Sequence, residues 1–201
     1  TVFLLRLLGT ARMPQLFRLK SRLEHLCSRS PLLGRSAPEK LLQLLASILP
    51  CQLPKRLRGI ADRCEHQLIL EVSEDAVDEL RAYLTPDRCE QYGLDYIECD
   101  ETEAPLLLLH RFAAAGAALR YAVTARREVA DLVSLDIALP RNTDEWLEVL
   151  PPAVSSSLVR TIYYGHFFCH VFHQDYLVKR GCDPDQVKAQ LLELCASRGA
   201  R

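Results

Sequence analysis

Tyr163-Tyr-Gly-His-Phe-Phe-Cys-His-Val-Phe-His-Gln-Asp-Tyr-Leu-Val-Lys-Arg-Gly181 is the stretch whose reading decides the fold. Aromatic and β-branched residues dominate it, and Tyr163 to Val178 is long enough for two strands with a bend between them. Strands show their side chains alternately on two faces. His166, Phe168 and His170 therefore share a face in one continuous strand, with His173 on the other unless a bend or bulge intervenes. Downstream, Asp183-Pro184 opens a final helix that ends near Ser197, with Gly199 placed for a C-cap. Upstream, Leu132 to Leu139 reads as a strand stopped by Pro140, and Asn142 or Thr143 opens a short helix to Val149.

Further toward the N-terminus the same grammar continues. Thr102 to about Ala115 is a helix entering Gly116. Gln67 to Val72 and Leu94 to Cys99 read as strands. Between them Ser73 caps a helix over Glu74 to Leu84, whose acidic front suits the helix dipole, and Thr85-Pro86 stops it. Strands and helices alternate, but several connections are too short for parallel crossovers. The expected fold is α+β, with a largely antiparallel sheet and helices on one face.

Residues 1–66 read differently. Leu16, Leu19, Leu23 and Leu26 recur at helical spacing, with Arg18, Lys20 and Arg22 between them. Ser36 and Glu39 form a possible capping box before a leucine-rich helix from Ala37. Pro54-Lys-Arg-Leu-Arg58 is a short basic cluster. Twelve Lys/Arg face four Asp/Glu in residues 1–66, a net of +8, whereas residues 67–201 carry thirteen against twenty-two. The expected division is a basic helical subregion, 1–66, followed by an α+β domain, 67–201. Such a charge split points to an anionic partner for the first part, through Arg18, Lys20, Arg22, Lys55, Arg56 and Arg58. Basic side chains near an anionic leaflet contribute roughly 1 kcal/mol each. No aromatic-interleaved basic platform or recognition-helix pattern accompanies the charge, so nucleic acid is not the expected partner.

The remaining composition bounds the class. Of 201 residues, 49% are apolar and 25% charged, so a packed globular fold is expected. No apolar run approaches the roughly 20 residues of a membrane-spanning helix, and no stretch reads as a signal peptide. The eight cysteines form no C-x-x-C pair, and reduced thiols in a cytoplasmic compartment are expected.

Four stretches carry a resemblance: Leu53 to Leu70, Leu109 to Tyr121, Leu135 to Trp146, and Tyr163 to Gly181. The opening LGTARMPQLFRLKSR shares it. Together they resemble the respiratory, quinone-dependent D-lactate dehydrogenases of bacteria, over nearly the whole chain. The resemblance implies the cap and membrane-binding region of such an enzyme, with FAD held mainly by a domain this chain does not contain. It implies D-lactate or a similar 2-hydroxy acid as substrate and quinone as electron acceptor. It also implies a peripheral location on the cytoplasmic side of the bacterial inner membrane, and no activity for this stretch alone.

The resemblance places His166 and His173 in the active site. Related flavin hydroxyacid dehydrogenases hold a divalent metal with two histidines at this His-x6-His spacing, around a Gly-Asp-Gly-Asn stretch. Here Phe167 to Phe172 replaces that stretch, so a metal is not expected. Arg111 is the candidate for the substrate carboxylate, since guanidinium grips carboxylate through a bidentate fork. Asp136, in the Leu-Asp-Ile-Ala-Leu-Pro stretch, is a further substrate-side candidate. Against the enzyme reading stands a non-catalytic peripheral membrane-binding module. A metal-dependent hydrolase is weaker, because no His-Glu-x-x-His set is present.

Overall fold

The computed structural model describes residues 14–15, 18–19, 21–23, 25, 37–49, 51, 53–166 and 169–200. The described residues among 14–25 are helical. Helices follow at Ala37–Ile48 (α1), Lys55–Arg63 (α2), Val77–Tyr83 (α3), Pro86–Tyr92 (α4), Glu103–Ala114 (α5) and Ala117–Thr124 (α6). Then come strand Val129–Ala138 (β1), helix Pro152–Ser155 (α7), strands Leu158–His166 (β2) and Val171–Lys179 (β3), and helix Pro184–Ser197 (α8). The fold is α+β. Packing divides the chain into two compact units, residues 1–50 with 111–201, and residues 51–110. Residue 66, where the composition changes from basic to acidic, lies inside the second unit.

The first unit is built on an antiparallel sheet of order β1-β3-β2. Along β1, Val133, Leu135 and Ile137 are buried while Ser134, Asp136 and Ala138 are exposed, the alternation of a strand with one covered face. Register continues this division across the sheet. Val133, Leu135 and Ile137 stand opposite Tyr176, Gln174 and Phe172 of β3. This face packs on α8, whose Val187, Leu191 and Cys195 recur every fourth residue and join the strand residues in one core. Local chemistry sets the bounds of α8: Asp183 accepts from the Asp185 amide (3.0 Å), Pro184 occupies the first turn, and Gly199 follows in the left-handed region (φ 70).

The opposite face is only partly covered. Leu177 is fully buried there, α6 packs on β1 and β3, and Arg160, which pairs with Leu177, lies over the Tyr121 ring of α6. Helices thus lie on both sides of β3, with α6 toward the Leu177 end.

Within the second unit three expectations need correction. Residues 67–73 and 94–100 form no strand, and Leu68, Ile69, Leu70, Leu94 and Tyr96 are exposed. Their β-prone composition finds no ladder partner among the described residues, and a strand exists only by pairing. Pro86 stops α3 but also starts α4, where its missing N–H is harmless. Thr85 Oγ1 caps that helix from 3.4 Å and Gly93 (φ 61) ends it.

In the first unit, the helix expected from Asn142 to Val149 does not form. Asn142 has a positive φ of 65, and Trp146 and Glu148 are instead drawn onto the sheet. Helix α6 has no counterpart among the expected elements. The seven described cysteines are free thiols; Cys27 lies outside the described residues, as does Ser36 of the suggested capping box.

Candidate functional site

Two strands, not one, carry the histidines, and the turn between them settles which face each shows. His166 ends β2 and Val171 begins β3, with His170 in the left-handed region (φ 53). Antiparallel pairing then puts Tyr164 opposite His173, and His173 opposite Asp136. Directly opposed residues share a face, and so do residues two apart on one strand. Asp136, His173, Tyr164 and His166 therefore stand together on the sheet face away from α8. The expectation that His173 faces away from His166 holds for an unbroken strand; the hairpin corrects it.

Contacts within this row are direct. His173 Nδ1 makes a short hydrogen bond with Asp136 Oδ1. A carboxylate only accepts, so the ring donates through Nδ1–H; in the neutral imidazole Nε2 then carries the lone pair. The Tyr164 ring stacks on His173 (centroids 4.9 Å apart, 29° between planes), and the His166 ring meets it edge-on at 6.3 Å. His173 is 30% exposed and Asp136 75% exposed. One step along the sheet, Ser134 Oγ donates to the buried Asp175 carboxylate at 2.5 Å. Partial burial, then the nearby Asp175 and Asp136 carboxylates, push the Tyr164 phenol above its ordinary range. Sequence reasoning missed Tyr164 and Asp175. The signal available was their period-two spacing from His166 and His173, legible only once the hairpin is known.

Beneath the row, on the α8 face, lies a buried polar network. The Tyr163 and Tyr176 hydroxyls donate to Glu148 Oε1 at 2.6 and 2.7 Å. Tyr176 has one proton, and Gln174's amide lies 2.7 Å from its oxygen. The consistent assignment turns that amide so that Nε2 donates to Tyr176, which also gives this buried nitrogen its partner. Arg198 stands 3.9 Å from Glu148 Oε2. Burial, reinforced by Glu148, raises both phenols well above the usual tyrosine range. The network ties β2 and β3 to the segment before α7 and so holds the register that aligns Tyr164 with His173.

Gly165 sits between these layers. A Cβ there would meet the Val171 carbonyl oxygen at 2.5 Å and Phe172 Cα at 3.0 Å, both backbone contacts. Gly165→Ala is expected to lower unfolding free energy by about 1–3 kcal/mol and to shift His166. Thermal denaturation and histidine NMR spectra would show both effects, and a variant with wild-type values for each would refute the close-packing argument.

The other predicted residues belong to other elements. Arg111 is exposed on the last turn of α5. Arg18 and Arg22 are exposed, and Lys20 lies outside the described residues. In the second unit Lys55 is exposed and Arg58 half-buried on α2. Arg56 is bound within its own unit, donating to both carboxylate oxygens of Glu103 and to the Glu98 carbonyl. Glu103 is itself set by a reciprocal cap: Asp100 accepts from the Glu103 amide at 2.8 Å, and Glu103 accepts from the Asp100 amide at 3.2 Å. The Arg56 bond holds the Glu103 carboxyl below its ordinary range. Among the described residues no group of three or more His, Cys, Asp or Glu is arranged to hold a metal ion, and no helix is long and apolar enough to cross a membrane.

An α+β sheet unit with a histidine–carboxylate row is joined here to a basic N-terminal stretch. The whole chain, residues 1–201, matches the family described as "D-lactate dehydrogenase, membrane binding", and the chain belongs to that family. It is similar to the quinone-dependent D-lactate dehydrogenases of Escherichia coli (strain K12), at 42% identity, and of Haemophilus influenzae (Rd), at 37%. That of Corynebacterium glutamicum is also 37% identical. All of this chain is covered in each comparison, but only 35%, 36% and 35% of the relatives, so it spans about a third of their length.

Proposed function

We propose that this chain is the cap and membrane-binding part of an FAD-dependent D-lactate dehydrogenase that oxidises D-lactate to pyruvate and passes electrons to membrane quinone. The observation that carries the reading is the Asp136–His173–Tyr164 row beside His166, on the sheet face that α8 leaves free. Asp136 fixes the His173 tautomer, so Nε2 is the atom that accepts the substrate hydroxyl proton. Tyr164 stacking holds the ring in plane, and His166 adds a second polar group beside it. Arg111 is assigned to the substrate carboxylate as a bidentate donor.

Among the described residues no glycine-rich loop joins a parallel strand to a helix, the usual cradle for a dinucleotide phosphate. The described residues offer no such cradle, and we assign the flavin to another part of the enzyme. When bound, the flavin supplies the acceptor for the hydride from C2. This chain contributes the proton acceptor, the carboxylate clamp and the cover that excludes water. The location proposed with this reading is peripheral, on the cytoplasmic face of the inner membrane.

The test compares the full-length protein with the 201-residue chain. Full-length protein is expected to be yellow and to reduce quinone with D-lactate. The isolated chain, shown folded by circular dichroism, is expected to be colourless and inactive. A yellow, active isolated chain, or a full-length protein inert toward 2-hydroxy acids, would overturn the reading.

A further inference from the structure

Helix α1 carries an apolar stripe that the fold leaves uncovered. Leu41, Leu44, Leu45 and Ile48 are 55%, 57%, 40% and 71% exposed. Their spacing of i, i+3, i+4 and i+7 gathers them within an arc of about 100°. Leu42 and Leu49 are half-buried, and α1 packs on α6. The stripe is therefore not the face that attaches α1 to its own unit. Lys40, Gln43 and Ser47, all exposed, define the polar side. Leu19 and Leu23, four apart, are likewise exposed beside Arg18 and Arg22.

Charge decides the occupant. Residues 1–50 carry eight Lys/Arg against two Asp/Glu, and residues 51–110 carry six against fourteen. The second unit is thus strongly acidic. Two cations of α2 are also bound internally, Arg56 to Glu103 and Arg63 to Asp95 at 2.7 Å. An anionic surface would attract residues 1–50 and repel residues 51–110. An apolar stripe on a helix in a cationic stretch has the chemistry of a helix lying in the interface of an anionic bilayer, its leucines below the headgroups and its basic neighbours among them.

We propose that α1 is a membrane-inserting element, with Leu41, Leu44, Leu45 and Ile48 entering an anionic bilayer, and that the α2 cluster makes no comparable contact. This rests on the membrane-binding reading and adds the element and the mode. Insertion contributes an apolar term that salt does not screen, so high salt should weaken binding without abolishing it.

The experiment uses full-length protein and sedimentation with vesicles of phosphatidylcholine alone or mixed with phosphatidylglycerol. Wild type should prefer the mixed vesicles and lose about tenfold in affinity at high salt. The double variant Leu44→Ser/Ile48→Ser should bind about a hundredfold more weakly at either salt level, with an unchanged melting temperature because both side chains are exposed. Leu44→Trp should show a blue-shifted emission difference from wild type on adding vesicles. Lys55→Glu/Arg58→Glu should change binding less than about twofold. Equal vesicle binding by wild type and the serine variant, or no emission shift in Leu44→Trp, overturns the inference while leaving the membrane reading intact. If wild type binds no vesicle, both fall. A change of oligomeric mass in the serine variant without a change in vesicle binding assigns the stripe to a second copy and also overturns it.

Discussion

His173→Ala in the full-length enzyme is expected to lower kcat for D-lactate by about 10²- to 10⁴-fold, the usual worth of a positioned general base. The reasoning is geometric. Asp136 accepts a hydrogen bond from Nδ1–H, the Tyr164 ring blocks one face of the imidazole, and Nε2 is left as the acceptor. Asp136→Asn keeps the shape but offers an amide that can favour the wrong tautomer, so a smaller loss, about tenfold to a hundredfold, is expected. His166→Ala should fall more on KM than on kcat, because His166 has no carboxylate to orient it among the described contacts. None of these should lower thermal stability much, since His173 and Asp136 are both partly exposed. Stopped-flow reduction of the flavin by D-lactate reads the step directly. Flavin reduction at the wild-type rate in His173→Ala would remove this residue from the chemistry.

Leu191→Ala is expected to lower the unfolding free energy by about 2–5 kcal/mol, the range for deleting a buried leucine and leaving a cavity. Leu191 is fully buried and lies in the core where α8 meets β1 and β3. Val187 and Cys195 of the same helix stripe line that core with it. Because the same packing supports the sheet from below, the variant should also lose catalytic activity before it unfolds globally. Denaturant titration measures the first effect. A loss below about 1 kcal/mol would mean that α8 is not anchored through this side chain.

The two kinds of residue differ in how they could be found. Leu191 is legible from the chain itself: the Asp183-Pro184 start, the fourfold spacing and Gly199 specify an amphipathic helix by local chemistry. The β1 segment is legible for the same reason, its alternation reporting one covered face. Charge asymmetry in the N-terminal stretch is also plain. By contrast, the β-prone runs at 67–72 and 94–99 invite a wrong strand reading, because strand formation depends on a partner that composition cannot supply. The helix expected at 142–149 fails for a related reason. Burial of Glu148 against two tyrosine hydroxyls outweighs a weak local helical preference.

The residue types of the candidate site, the helices with capping signals and the sign of the N-terminal charge can all be read along the chain. Each is a property of residues close together in sequence. Only folding brings His173 to Asp136, thirty-seven residues away, and stacks Tyr164 on it. A one-residue change in the turn or register would send those side chains to opposite faces of the sheet. Folding likewise binds Arg56 to Glu103 while leaving the leucines of α1 exposed. Ion pairing and burial depend on what the folded chain brings alongside, which no local spacing encodes.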